Sequence, residues 1–156
     1  MTWTRRNLLK TLGAGGSYIA LAAAGLVKPL AAFAADWNKA AFEAKDMPGA
    51  LAGLHAGNVT DSADVVIKAP SIAENGAVVP VEIVSKVPNT SSISVFVDGN
   101  VAPLAGHFTF TPEVVPEVSV RLKFAKTSNV RAVVMAGGKA YGAQSEVKVT
   151  TGGCGG

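Results

Sequence analysis

One thiol and the glycines around it stand out in this sequence of 156 residues as groups placed to do chemistry. Cys154 is the sole cysteine and lies in the run Thr150-Thr151-Gly152-Gly153-Cys154-Gly155-Gly156. A lone cysteine forms no internal disulfide and no multi-cysteine metal site, so in an exported protein it is a reactive thiol or an intermolecular bridge. Gly152, Gly153, Gly155 and Gly156 leave Cys154 the only side chain beyond Thr151. Glycine has no packing group and ordering it is entropically costly, which predicts a flexible arm over residues 150–156. Measured from Val149, the thiol has a reach of about 17 Å fully extended and roughly 12 Å as a coil. That is enough to enter a deep pocket on another protein, and an arm without side chains fits a narrow channel. Nothing nearby in sequence activates the thiol; at an ordinary pKa of about 8.5 only a few per cent is thiolate at neutral pH. Activation is therefore expected from whatever receives the arm. The plainer reading is a frayed tail with an incidental cysteine, but a free thiol in an oxidising compartment is a liability.

Other candidates are weaker. His55 and His107 are the only histidines, and with Cys154 they could in principle bind copper or zinc. They stand 52 and 47 residues apart along the chain, a spacing that supports no site; a surface histidine and a strand-end histidine are the expectation. The acidic pairs Asp61/Asp64 and Glu113/Glu117 have the chemistry of general acid and base, yet read as turn and cap residues. There is no nucleophile elbow, phosphate loop or metalloprotease helix. The sequence thus predicts no catalytic residue, metal or cofactor.

The elements that position the thiol follow from periodicity. Trp37, Ala40, Ala41 and Ala44 fall at helical spacing, predicting a helix over Asp36–Lys45 with Asp36 as its cap. Pro48 interrupts it, and a second short helix is expected to about Leu54, closed by Gly57 and Asn58. From Asp61 the apolar period becomes two. Strands are expected at Ala63–Ala69, Val78–Ser85, Ser92–Val97, His107–Thr111, Glu117–Phe124, Val130–Met135 and Ser145–Thr150. Asp98-Gly99 and Gly137-Gly138 supply turns tolerant of positive φ. The fold class is all-β: an immunoglobulin-like β-sandwich over residues 61–149, with an N-terminal helical segment over 35–60.

Residues 1–34 read as an address. Thr4-Arg5-Arg6-Asn7-Leu8-Leu9-Lys10 fits a twin-arginine export signal, with Arg5 and Arg6 as its mark. The stretch Thr11–Val27 is shorter than the roughly 20 apolar residues of a membrane span and is diluted by four glycines, so no stable anchor is expected. Ala32-Phe33-Ala34 offers a small-x-small cleavage site. The basic charge resides here: Arg5, Arg6, Lys10 and Lys28 face no acid, whereas from Ala35 onward 10 basic and 11 acidic residues give 10 − 11 = −1. Without a polybasic run the domain is not expected to bind nucleic acid.

On these residues the chain resembles the SoxY family, the sulfur-carrier subunits of the periplasmic thiosulfate-oxidising Sox system. The most specific mark is Gly152-Gly153-Cys154-Gly155-Gly156. The twin-arginine leader, Trp37 and Phe42, the stretch Pro70-Ser71-Ile72-Ala73-Glu74-Asn75-Gly76 before Val79-Pro80-Val81, and Arg121 in a late strand extend it over essentially the whole chain. The resemblance implies a non-catalytic carrier on whose Cys154 thiosulfate is joined oxidatively and stays attached. It implies a heterodimer with a small β-sandwich SoxZ-like subunit lacking its own export signal. It also implies a c-type cytochrome conjugating enzyme, a manganese hydrolase that releases sulfate and, in some organisms, a sulfane dehydrogenase. A tethered intermediate is not lost by diffusion and meets successive sites at high effective concentration.

Three other readings compete. A ubiquitin-like sulfur carrier also ends in Gly-Gly, but its thiocarboxylate needs ATP, which an exported protein lacks. A structural or interaction sandwich would use Cys154 for a disulfide between chains. A prenylation signal needs its cysteine fourth from the end, and Cys154 is third.

Overall fold

The computed structural model describes residues 37–151. Two short helices lead in, α1 (Lys39–Phe42) and α2 (Met47–Gly53). The cap of α1 is Asn38 rather than Asp36: its Oδ1 accepts from the Ala41 N–H at 3.1 Å. Its Nδ2 donates to the Gly53 carbonyl at 2.8 Å, so one side chain both starts α1 and ties it to the end of α2. The helix is shorter than expected, ending at Phe42 with Glu43 as its C-cap, and Asp46 is extended (φ −141°, ψ 163°). There its carboxylate accepts from the Gly49 N–H at 2.7 Å and caps α2.

The end of α2 also departs from expectation. His55, not Gly57, takes the left-handed conformation, at φ 54°. The His55 N–H bonds the Ala52 carbonyl at 3.0 Å and the Ala56 N–H bonds the Leu51 carbonyl at 2.9 Å. This is the paired pattern of a Schellman cap, built on histidine where glycine is usual. The helices touch closely: a Cβ on Gly53 would lie 2.7 Å from the Ala41 backbone.

Nine strands follow: β1 (Val59–Asp61), β2 (Val65–Lys68), β3 (Ile72–Asn75), β4 (Val79–Ser85), β5 (Thr90–Val97), β6 (Leu104–Thr109), β7 (Glu117–Leu122), β8 (Ser128–Ala136) and β9 (Lys139–Thr151). One sheet runs β1-β9-β8-β5-β6, with β3 joined to the later part of β9; the other runs β2-β4-β7. Facing side chains of both sheets, among them Val79, Val81, Ile83 and Val118 against Ile93, Val95, Val130 and Val147, make one core. This is the expected β-sandwich. Each large apolar side chain buried here contributes roughly 1.5–3 kcal/mol. The other face of the large sheet places Phe96, Leu104, Val133 and Ala140 against Ala41, Ala50 and Ala56 of the helical segment.

All expected strands form, and β1 and β3 are additional. Both are short and both pair parallel to β9, β1 with its first residues and β3 with its last. β9 begins at Lys139, six residues before the expected start at Ser145, because the β8–β9 hairpin feeds straight into it. Gly137 (φ 56°) and Gly138 (φ 76°) form its two-residue turn between Ala136 and Lys139, as the right-handed strand twist requires. Gly99 needs no positive φ; it is glycine because a Cβ there would lie 2.8 Å from the Ser128 Oγ.

Candidate functional site

Cys154, Gly152, Gly153, Gly155 and Gly156 lie outside the described residues, as do Arg5, Arg6 and residues 1–34. What the structure describes is the strand that delivers them. β9 is 13 residues long and is bonded to a neighbouring strand throughout, with β8 over most of its length, β1 beside its start and β3 beside its end. β8 pairs with it from Ala136↔Lys139 to Ser128↔Val147. On the other side β1 holds Ala140–Gly142, and β3 holds the last turn of the pleat through Ile72↔Lys148, Ala73↔Val149 and Asn75↔Thr151.

β8 ends its pairing at Val147, and side chains take over beyond it. The Thr127 hydroxyl accepts from the Val149 N–H at 2.9 Å and lies 3.4 Å from the Val149 carbonyl as donor. The Thr150 hydroxyl donates to the Glu74 carbonyl at 3.0 Å, and the Lys148 N–H to the Ser71 carbonyl at 3.0 Å. The two flanking connections are themselves tied down. The Phe124 N–H donates to the Gly76 carbonyl at 2.7 Å. Asn100 bridges across, its Nδ2 donating to the Lys123 carbonyl at 2.7 Å and its Oδ1 accepting from the Ala125 N–H at 3.0 Å. β9 is thus a stalk held in register to Thr151. Cys154 lies three residues past that point, at most about 11 Å of extended chain. This is shorter than the reach measured from Val149, because Thr150 and Thr151 belong to the strand.

The remaining sequence candidates sit apart from this end. His55 closes α2 and is exposed. His107 lies on β6, its Nδ1 2.9 Å from the Ser94 Oγ across the strand pair. Burial holds the His107 pKa below its ordinary value of 6.5. Asp64 stands in a turn where its N–H bonds the Ser62 Oγ at 3.2 Å, and Glu117 opens β7. Among the described residues no three His, Asp or Glu side chains gather as a metal site. No helix among them is long and apolar enough to cross a membrane. The β3 clamp escaped sequence reading. Its only signal was the run Ile72–Asn75 with a single buried residue, Ala73, too short for a period to register.

Comparison with known proteins completes the description. The family described as sulfur oxidation protein SoxY matches residues 52–154. Among solved structures, the sulfur carrier protein SoxY from Chlorobium limicola f thiosulfatophilum is similar at 45% identity and a TM-score of 0.59. The similarity covers 64% of this chain and 91% of that one. A chain from a structure of T-cell activation by toxic shock syndrome toxin-1 matches at 12% identity and a TM-score of 0.38, over 55% of this chain and 98% of that one. That likeness is too slight to bear on the reading. A search of curated proteins finds no match.

Proposed function

The chain belongs to the SoxY sulfur-oxidation family, and from that premise we propose that it is a non-catalytic carrier holding thiosulfate-derived sulfur covalently on Cys154. The observation that carries this reading is the conjunction of two facts. The family match runs through to Cys154, and the strand before it is held in register to Thr151, so that the thiol follows a fixed stalk on glycine alone.

In the proposed cycle the Cys154 thiol loses its proton and its sulfur bonds the outer sulfur of thiosulfate. Two electrons pass to a c-type cytochrome conjugating enzyme. Water then attacks the terminal sulfonate on a manganese hydrolase; sulfate leaves with that water's oxygen, and a persulfide stays on Cys154. A sulfane dehydrogenase, where the organism has one, oxidises the remaining sulfur further. Activation of the thiol belongs to these enzymes. This chain contributes attachment, retention and presentation.

The carrier is proposed to work as a heterodimer with a small SoxZ-like β-sandwich and to reach the periplasm by the twin-arginine route, with Arg5 and Arg6 as the recognised pair. Co-export of a folded pair accounts for a leader on one subunit only. Incubating the purified heterodimer with thiosulfate and the conjugating cytochrome, then digesting and sequencing by mass spectrometry, tests the reading. Expected is one thiosulfate-derived group on the Cys154 peptide. An unmodified Cys154 peptide under turnover sinks the proposal.

A further inference from the structure

The last strand of an open sheet leaves every second residue's backbone groups without a strand partner. β6 is such a strand, since the large sheet ends on it beyond β5. The Phe110 N–H bonds the Ser91 carbonyl at 2.9 Å, and the pairs Ser92↔Thr109, Ile93↔Phe108 and Ser94↔His107 continue that register. In an antiparallel ladder alternate residues turn their N–H and C=O toward the neighbouring strand. Phe108 and Phe110 therefore bond to β5, and the backbone groups of His107 and Thr109 point out from the edge of the sheet.

β6 also lacks the protection that the other edge strands carry. β1 has Asp61, β2 has Lys68, β3 has Glu74, and β7 has Glu117 and Arg121. Charges on an edge deter a further strand from pairing with it. No Asp, Glu, Lys or Arg occurs anywhere from Val101 to Pro112, a run that contains all of β6 and both its flanks. Apolar side chains stand in solvent at both ends of this run. Val101 before the strand is 77% exposed, and Val114 and Val115 after it are 52% and 71% exposed.

We propose that β6 is a pairing edge for a second copy of this chain, the two strands running antiparallel about a two-fold axis at Phe108. This register sets His107 of one copy opposite Thr109 of the other, and the outward backbone groups of both residues then bond across the axis. Val101 and Val115 are each seven residues from Phe108, so the same axis brings Val101 of one copy level with Val115 of the other. The occupant is a second copy because the edge is self-complementary, as a two-fold contact requires: its apolar ends cover each other and no like charges meet. The two domains point in opposite directions, so their Thr151 ends lie apart and the contact needs no Cys154 disulfide. The inference goes beyond the carrier reading, does not rest on it, and leaves the proposed heterodimer its other surfaces.

The test is sedimentation of the purified chain over a range of concentrations under reducing conditions, with amide hydrogen exchange on the same samples. A reversible dimer is expected, and Cys154→Ser should form it equally well. Exchange at the His107 and Thr109 amides should slow about tenfold or more as the dimer fills, while Phe108 and Phe110, already bonded to β5, change little. Thr109→Pro removes one outward N–H without touching the β5 ladder, and should raise the dimer dissociation constant about tenfold or more. The pair Val101→Asp, Val115→Asp sets like charges against each other across the axis and should act in the same sense; it serves if circular dichroism finds the proline variant unfolded. Val78→Asp, a substitution of another exposed valine away from β6, should leave the dimer as it was. A chain that stays monomeric at every concentration overturns the proposal, as does a dimer that leaves His107 and Thr109 exchanging freely or is weakened equally by Val78→Asp. Protection of these two amides only when the small β-sandwich subunit is added gives the edge to that partner and overturns the second copy.

Discussion

The Thr127 hydroxyl holds the backbone of Val149, accepting from its N–H at 2.9 Å on the strand that leads to Cys154. This contact replaces β8 where its ladder ends, since the last β8–β9 pair is Ser128↔Val147. It also places a side-chain bond, which a single substitution can remove, at the base of the proposed arm.

Thr127→Val keeps the shape and removes the hydroxyl. A hydrogen bond of this type is worth about 0.5–1.5 kcal/mol net, so the global melting temperature should fall only slightly. Hydrogen exchange at the Val149 amide should speed up markedly, while exchange in the middle of β8 stays as it was. Thr127→Ser should behave as the wild type. Unchanged exchange at Val149 in the valine variant would show that β3 alone holds the stalk.

The helical segment makes a separate prediction. A Cβ on Gly53 would lie 2.7 Å from both the Ala41 Cα and N, and this contact is with backbone that cannot rotate away. Gly53→Ala should destabilise by about 1–3 kcal/mol despite the better helix propensity of alanine. Urea unfolding checks this; a stabilised variant would contradict the close packing of α1 on α2.

Much of this fold is legible in the sequence, and the exceptions have physical causes. The strands with strong period-two patterns, such as β4 and β7, lie where the alternation puts them because their burial is local to each strand. β1 and β3 are not legible, since each is a few residues whose parallel pairing depends on β9, far along the chain. The first half of β9 reads poorly because Ala140, Gly142 and Ala143 are weak strand formers. At Gly142 the small residue is set by a close neighbour: a Cβ there would lie 2.6 Å from the Val59 Cγ1. Asn38 outdoes Asp36 as a cap through a bond to Gly53, which only the folded helix pair provides. The thiol and its glycines were plain from composition, whereas the clamp at their base is a tertiary feature.

Gly142 and Val59 give a coupled test of that last pairing. Gly142→Ala should push β1 from β9 and destabilise by about 1–3 kcal/mol. Val59→Ala removes the clashing methyl, so the double variant should lose less than the sum of the two singles. Strict additivity in chemical denaturation would contradict the contact.

His107 predicts a pH dependence. Its folded-state pKa lies below the unfolded value because burial disfavours the charged ring. The unfolded chain therefore binds more protons in that window, and stability rises with pH. The contribution is complete above pH 6.5 and is lost as pH falls through the lower folded value. Melting temperatures at about pH 7.5 and pH 5 should differ less in His107→Gln than in the wild type. An equal difference in the two proteins would assign the acid sensitivity to other groups.

Intact-mass spectrometry of the protein from cells oxidising thiosulfate, set beside Cys154→Ser from the same cells, addresses the carrier assignment most directly. The wild type is predicted to carry a mass increase matching a thiosulfonate or sulfane adduct. The serine variant should fold with the same melting temperature, carry no adduct and leave the cells unable to oxidise thiosulfate. A Cys154→Ser protein that sustains full thiosulfate oxidation would contradict the account.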